Sequence, residues 1–359
     1  MQRFARMLRD EFARRGKAVE MIRPEPFFGR LLPGARGLAK WIGYADKFLV
    51  FPKRLKRRLR QFKRGDILHI CDHSNAVYTK SAANVPHLVT CHDLLAIRSA
   101  LGEIPENPTS ATGKAYQRMI LKGLNHARRV ACVSEATRRD LLRLTGLQQE
   151  QTTVVANGLN YAYAPMPPEQ ARDRAPANRF ILHVGGNQWY KNRPGVIRIY
   201  EELVRAEPTA PDLVLVGKEP NDALRQAIQQ SNLQERIQVI TRCDNEQLRA
   251  LYSCADALLF PSLIEGFGWP IVEAQACGCP VVASDIPPMN RIGGDAALYI
   301  NPRDPKAAAD MLRRLLLENE MARAMRKQNS IANAANFSSD RMVNRYLEEY
   351  SICVDTIAA

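Results

Sequence analysis

The chain has 359 residues, 46% of them hydrophobic, and 51 Lys and Arg against 37 Asp and Glu give it a formal net charge of +14. That length suits two domains of ordinary size and that apolar fraction supplies normal cores, which excludes a disordered chain. No run of about 18 apolar residues occurs, excluding a membrane-spanning helix, and the eight cysteines (Cys71, Cys91, Cys132, Cys243, Cys254, Cys277, Cys279, Cys353) mostly lie in apolar stretches, as reduced thiols do, rather than forming a disulfide framework.

The opening segment MQRFARMLRDEFARRG is a charged amphipathic pattern without a signal-peptide apolar core, which predicts a cytoplasmic protein. A strand is expected at AVEMIRP (18–24). The charge is concentrated early: residues 1–170 hold 29 Lys and Arg against 14 Asp and Glu, whereas the remainder holds 22 against 23. In residues 51–64, Lys53, Arg54, Lys56, Arg57, Arg58, Arg60, Lys63 and Arg64 surround Phe51, Leu55, Leu59 and Phe62, which fall at helical spacing. A basic amphipathic helix of this kind suits an anionic membrane surface at the inner face, or a phosphate-bearing polymer. The plainer reading is a solvated helix with its apolar side on the core. Nucleic acid ranks below both, because no recognition module accompanies the charge.

Short β-branched runs then alternate with helical patterns: DILHICD (66–72), HLVTC (87–91), RVACVS (129–134) and TTVVAN (152–157). A proline- and charge-rich break covers 164–179. After it come RFILHVGG (179–186), DLVLVG (212–217), RIQVI (236–240), DALLFPS (256–262), PVVAS (280–284) and ALYIN (297–301). Two sets of β/α units predict an α/β protein with two doubly wound parallel sheets: a first domain over 1–165, a linker over 166–178 and a second domain over 179–336. A final helix over 337–355 is expected to cross back to the first domain. Ligands of such sheets bind at the C-terminal ends of the strands, so the residues just after each strand carry the functional reading.

In the first domain HICDH sets His69, Cys71 and His73 on one face of a strand, and TCHD ends another strand with His92 and Asp93. Strand alternation explains that spacing without zinc, as no C-x-x-C or H-E-x-x-H accompanies it. His73 and His92 are the better candidates for polar contacts, and His69 reads as a satisfied core histidine or as one that supports a residue touching the ligand. Ser134 reads as a helix cap rather than a nucleophile, for lack of a G-x-S-x-G context. In the second domain, HVGGNQWYKNR (183–193) places Gly185 and Gly186 where backbone can approach a ligand, with Lys191 and Asn192 at the start of the next helix. It is neither a P-loop nor a dinucleotide fingerprint.

The most informative segment is LIEGFGWPIVEAQACGCP (263–280), where Glu265 and Glu273 bracket Gly266, Phe267, Gly268 and Pro270. Proline at a helix start puts Glu273 about one turn inside the helix and leaves Glu265 on the loop before it, so the two carboxylates address different parts of a ligand. A helix N-terminus suits phosphate, and a carboxylate on each side suits hydroxyls; polyol plus phosphate describes a nucleotide sugar. No D-x-D triplet occurs to chelate a metal on a diphosphate, so the leaving-group charge falls to Lys191, nearby arginines and helix amides, with no metal or other cofactor expected.

From TCHDLLAIR and VACVSEATRRDLL through VVANGLN, HVGGNQWYKNR, DNEQLRALYSCADALLFPSLIEGFGWPIVEAQACGCPVVASDIP and GGDAALYINPRD, the sequence resembles the family 4 glycosyltransferases. The resemblance implies a GT-B fold, two facing Rossmann-like domains with a cleft between them. It also implies retaining transfer of a hexose-type group from a UDP or GDP sugar to a carbohydrate or lipid-linked acceptor hydroxyl, in cell-surface polysaccharide, glycolipid or related glycan synthesis. By that resemblance Glu273 holds the donor ribose, and Glu265 with the amides of Gly266, Phe267 and Gly268 faces the transferred sugar. Lys191, Gly185 and Gly186 meet the diphosphate, His92 reaches the donor sugar, Arg242 and Cys243 border the base, and His73 and Asp93 fall on the acceptor side. Two departures stand out. Gly186 and Asn187 occupy the place where many members carry arginine, and the first strand with its glycine-rich loop is missing ahead of the opening helix, which reads as a truncated frame with activity in doubt. A same-fold epimerase, or a weakly catalytic membrane- or polymer-binding homologue, is the alternative reading.

Overall fold

The computed structural model describes residues 2–25, 43 and 45–358. It divides into two compact units, Met1–Val155 with Met342–Ala359, and Ala156–Arg341.

The first unit is built on four parallel strands, β1 (Leu68–Ile70), β2 (His87–Cys91), β3 (Arg129–Cys132) and β4 (Thr152–Val154), in spatial order β1-β2-β3-β4. Every residue of β2 is buried, as expected of a parallel strand covered on both faces. Val89, Cys91, Val130 and Cys132 pack with Ile97, Ile120, Leu124 and Leu141 from the connecting helices. Ser134 caps the helix Glu135–Leu144, its Oγ accepting from the Thr137 amide at 3.2 Å.

The strand expected at 18–24 does not form. Val19 and Met21 are both exposed while Ile22 packs against the cluster of Phe51, Leu55 and Tyr78, so the pattern gains some apolar contact but, among the described residues, no ladder partner, and preference without a partner does not make a strand. Nor does β1 reach His73: the strand ends at Ile70, and Asp72 accepts from the Ser74 amide at 2.9 Å to open a 3-10 helix, His73–Ala82. Side-chain capping of this sort competes with strand continuation.

The basic segment forms a helix over Phe51–Leu59, with Phe51, Leu55 and Leu59 buried against Tyr78 and Ala82. All eight of its Lys and Arg side chains through Arg64 are exposed. Arg58 pairs with Glu20 and Arg54 lies 3.9 Å from Glu25. The apolar side therefore serves the core and the charged side is exposed.

The last helix, Ser339–Ala358, enters the first unit at Met342. Tyr346 and Tyr350 lie beside Phe4 and Phe12 of the helix Gln2–Arg14, ring centroids 6.2 Å and 5.5 Å apart. His69 Nδ1 shares a 2.6 Å hydrogen bond with the Tyr350 hydroxyl and its Nε2 a 2.7 Å bond with Thr90 Oγ1, which is 2.9 Å from the Tyr346 hydroxyl. His69 is thus the satisfied core histidine expected. Burial, and then the neighbouring His92, hold its pKa down at about 3. Because the folded value lies below the unfolded value near 6.5, the unfolded chain binds the extra proton. Stability is fully present above about pH 6.5 and is lost as pH falls toward 3, at up to about 1.4 kcal/mol per pH unit. Urea midpoints measured between pH 7 and pH 4 should fall more steeply for the wild type than for His69→Gln; parallel slopes would contradict a neutral buried His69.

The second unit holds six parallel strands: β5 (Phe180–Val184), β6 (Asp212–Val216), β7 (Ile237–Ile240), β8 (Ala257–Phe260), β9 (Val281–Ser284) and β10 (Leu298–Ile300). Their spatial order is β7-β6-β5-β8-β9-β10, so the winding reverses between β5 and β8, the point at which open α/β sheets bind ligands. Ile181, Leu213, Leu215, Leu259 and Val282 form one core with Val196, Tyr200, Leu203 and Leu312 from the helices. The unit boundary lies at Val155–Ala156 rather than in 166–178. That proline-rich segment contains a short helix, Pro168–Arg172, whose Ala171 is buried with Met166 and Ala250; proline starts the helix here instead of marking a free linker.

Candidate functional site

The loops that follow β5 and β8 at this reversal carry the glycine pair and the glutamate pair. After β5, Gly185 continues the ladder, its amide donating to Val216 O at 2.9 Å. A 3-10 turn, Trp189–Lys191, then leads into the helix Arg193–Ala206 through Asn192, held in the left-handed region at φ 55°. Asparagine tolerates that conformation. It is also tied down: buried Asn192 Nδ2 donates to Pro261 O at 3.0 Å and to Pro302 O at 3.3 Å. The Leu263 amide donates to Tyr190 O at 2.7 Å, so the two loops are fixed to each other by backbone and side chain alike.

The result is an ion pair across the switch point, Lys191 Nζ to Glu265 Oε1 at 2.6 Å, with 16% and 9% of the two side chains exposed. Lys191 Nζ also stands 5.2 Å from the centroid of the Phe260 ring. The second helix begins at Trp269, with Gly268 in its cap position at φ 107° and Pro270 in its first turn. Glu265 therefore lies on the preceding loop and Glu273 one turn inside, the separation that the proline predicted. The Phe267 side chain is buried, edge-on to Trp269 and Phe337, so it anchors the loop and leaves the backbone as the part of Phe267 that can address a ligand.

Glu273 is 6% exposed and accepts from the Tyr252 hydroxyl at 3.1 Å. Burial, followed by the Glu273 charge, pushes the Tyr252 hydroxyl well above its ordinary range, so it remains a donor to the carboxylate. Gln275, fully buried, donates to Gly293 O at 2.7 Å and accepts from Asn333 at 2.7 Å, fixing the helix rotation that presents Glu273. Arg242 is exposed two residues beyond β7, at the C-terminal end of that strand, and Cys243 Sγ is directed at Asp244 O, 3.5 Å away.

In the first unit the three candidates gather at the C-terminal ends of β1 and β2. His92 is buried, 2.9 Å from Cys71 O through Nε2 and edge-on to Phe4 at 4.8 Å. Burial is the main cause that lowers its pKa, opposed by the Cys71 carbonyl. His73 is buried with Nδ1 lacking a hydrogen-bond partner and the Asp72 carboxylate 3.7 Å away. Asp93 Oδ1 accepts from the Leu95 amide at 3.1 Å, opening the helix Leu95–Ala100. Among the described residues no group of three or more His, Cys, Asp or Glu is arranged to hold a metal.

Two residues of the second unit escaped the sequence reading. Tyr252 gave no signal because its partner lies 21 positions away. Arg193 ends the HVGGNQWYKNR segment without being singled out from the nearby arginines, and nothing local in the sequence signals that it is 2% exposed.

Two parallel-sheet α/β units, the second wound as a Rossmann sheet, define the GT-B class of fold. HepE of Anabaena in its complex with UDP shares it at a TM-score of 0.69 and 19% identity, over 88% of this chain and 88% of that one. The pattern of the glycosyl transferases group 1 matches residues 169–331, and that of glycosyltransferase family 4 matches residues 1–163. O-antigen chain mannosyltransferase B of Escherichia coli is 24% identical over 78% of this chain and 75% of its own length. D-inositol 3-phosphate glycosyltransferase of Nocardia farcinica is 30% identical over 76% of this chain and 62% of its own. The chain belongs to the family 4 glycosyltransferases, and it is a sugar-transferring enzyme.

Proposed function

We propose that the protein moves a hexose-type sugar from a UDP or GDP donor to an acceptor hydroxyl, with retention at the anomeric carbon, in the synthesis of a cell-surface polysaccharide, glycolipid or related glycan. The observation that carries this reading is the Lys191–Glu265 pair at the sheet's switch point, just before a helix start. It offers one cation for a diphosphate and one carboxylate for sugar hydroxyls, beside helix amides that favour phosphate. Glu273, held by Tyr252, is suited to the ribose, and Arg242 with Cys243 to the border of the base. His92 is assigned to the donor sugar, and His73 and Asp93 to the acceptor side. In this mechanism the acceptor attacks the face from which diphosphate departs. The departing phosphate takes the acceptor proton, and Lys191 with the helix amides stabilises it without a metal. Glu265 orients the sugar and offsets positive charge at the anomeric centre, forming no covalent intermediate.

A panel of UDP and GDP sugars scored by thermal unfolding tests the donor. A donor at about 100 times its Kd adds about 2.7 kcal/mol and should raise Tm by a few degrees. The relative in Escherichia coli is a mannosyltransferase by name, so GDP-mannose belongs first in that panel. No shift with any nucleoside diphosphate or its sugars would overturn the reading.

The acceptor is proposed to be carbohydrate or lipid-linked, reached at the inner face of the membrane through the exposed basic side of Phe51–Leu59 and its continuation to Arg64. No described helix is long and apolar enough to cross a membrane, and the apolar side of this one is spent on the core. Binding should therefore be electrostatic, weakening as salt rises. Sedimentation with phosphatidylserine-containing vesicles should carry the wild type down at low salt and release most of it at 0.5 M salt. A variant with Lys53, Lys56, Arg57 and Arg60 changed to Gln should stay in solution at about any salt, and equal sedimentation of both would reject this arm.

A further inference from the structure

Arg193 is the first residue of the helix Arg193–Ala206, where the positive end of the helix dipole disfavours a cation. It is nevertheless 2% exposed. Nη1 donates to Asn187 Oδ1 at 2.6 Å and to Lys218 O at 2.9 Å, while Nε and Nη2 are buried with no hydrogen-bond partner. Among the described residues no carboxylate pairs with it. Burial lowers its pKa and no opposite charge offsets that effect, but a guanidinium stays protonated in a protein. The fold thus keeps an uncompensated positive charge beside the turn that runs from Gly185 to Lys191.

Two neighbours locate that charge. His183, wholly buried, has Nε2 without a partner just under Gly185, 2.9 Å from where a Cβ on that glycine would stand. Its pKa is pulled down to about 3 by burial first, with the charges of Arg193 and Lys191 adding to the fall. Both cations therefore act on the ground beneath the same turn. Lys191 has Glu265 as counterion; Arg193 has none. Asn187, which accepts from Arg193, also donates to Glu219 O at 2.6 Å, linking the loop after β5 to the loop after β6. Loop-holding explains Nη1 alone. It explains neither a charge at that place nor two further N–H groups withdrawn from water, which are costly to leave unpaired.

We infer that Arg193 is an electrostatic and positioning residue for a diphosphate bound over the Gly185–Lys191 turn, its buried charge drawing the anion while its bond to Asn187 fixes the edge of the turn. This rests on the proposed donor reading of the same site. The residue acts through the field and through Asn187, without touching the ligand. An anion arriving above the turn supplies the counter-charge that the protein itself withholds, so binding relieves the electrostatic penalty of the free state.

Calorimetric titration of the full chain with UDP, GDP, uridine and guanosine tests this. Arg193→Met and Arg193→Gln remove the charge, the glutamine keeping one amide donor, and Arg193→Lys keeps the charge. The wild type should bind one of the two diphosphates. Both neutral variants should bind it about tenfold or more weakly, with a shallower salt dependence, and should bind the matching nucleoside within about twofold of wild type. Arg193→Lys should stay within about threefold for both ligands. Equal loss of diphosphate and nucleoside would reduce Arg193 to a structural role, and unchanged diphosphate affinity in Arg193→Gln would overturn the inference even if Arg193→Met fails to fold. A wild type that binds neither diphosphate would instead sink the donor reading on which the inference depends.

Discussion

Lys191→Ala is expected to lower the rate of sugar transfer by about 10²–10³-fold, the loss typical of removing one group that stabilises developing negative charge. Lys191 ends the turn after β5, and its ammonium group is held 2.6 Å from Glu265 on the loop after β8, so it needs no reorganisation to meet a diphosphate between those loops. Most of the loss should fall on kcat rather than on nucleoside affinity, because in the proposed mechanism the charge it would meet is largest as the diphosphate departs. Lys191→Arg should recover part of the rate, limited by the altered geometry of a planar fork beside Glu265. Transfer rates under saturating donor, compared with nucleoside diphosphate affinity, separate the two effects. Turnover within about threefold of wild type would remove Lys191 from the mechanism.

Gly217→Ala should be the most damaging single-methyl change in the second unit. Gly217 follows β6 at φ 157°, its amide donating to Ile240 O at 3.0 Å, and a Cβ there would overlap Gly185 O. The obstacle is backbone, and Gly185 is itself held by its 2.9 Å bond to Val216 O, so relief requires shifting the turn that carries Lys191. A loss of about 2–4 kcal/mol is expected, with weakened donor binding in whatever remains folded. Gly65→Ala is the control: φ is 93° but nothing lies within 4 Å of its Cβ. Only backbone strain of about 1 kcal/mol is then expected. Equal urea midpoints for the two variants would show that the close approach of Gly217 to Gly185 is not what the site requires.

Ten of the eleven strands expected from β-branched runs form, because buried parallel strands are continuous apolar runs that no solvent-facing helix imitates. AVEMIRP misled because alternation records preference, and only an available neighbour turns preference into a ladder. The linker misled for a related reason: proline and charge at 166–178 are as compatible with a short capped helix as with a free connection. At the site, Pro270 separated the two glutamates correctly, since proline's effect on a helix start is local. What stayed hidden was non-local. That Asn192 is locked to Pro261 and Pro302, that Tyr252 supports Glu273, and that Arg193 is buried all depend on the order in which strands lie side by side, which no window of sequence contains.

The last helix imposes a schedule on how the chain becomes a protein. Thr90 meets Tyr346 across 256 positions, His69 meets Tyr350 across 281, and Arg129 pairs with fully buried Glu349 across 220. The sheet of the first unit is sealed by a segment that leaves the ribosome only after the whole of Ala156–Arg341 has been made, about 10–40 s later at ordinary elongation rates. Throughout that interval β1 and β2 have no tyrosine layer over His69 and Thr90. The second unit, whose residues are contiguous, is free to fold before its elder neighbour. The first unit can therefore complete its packing only after the second has been synthesised.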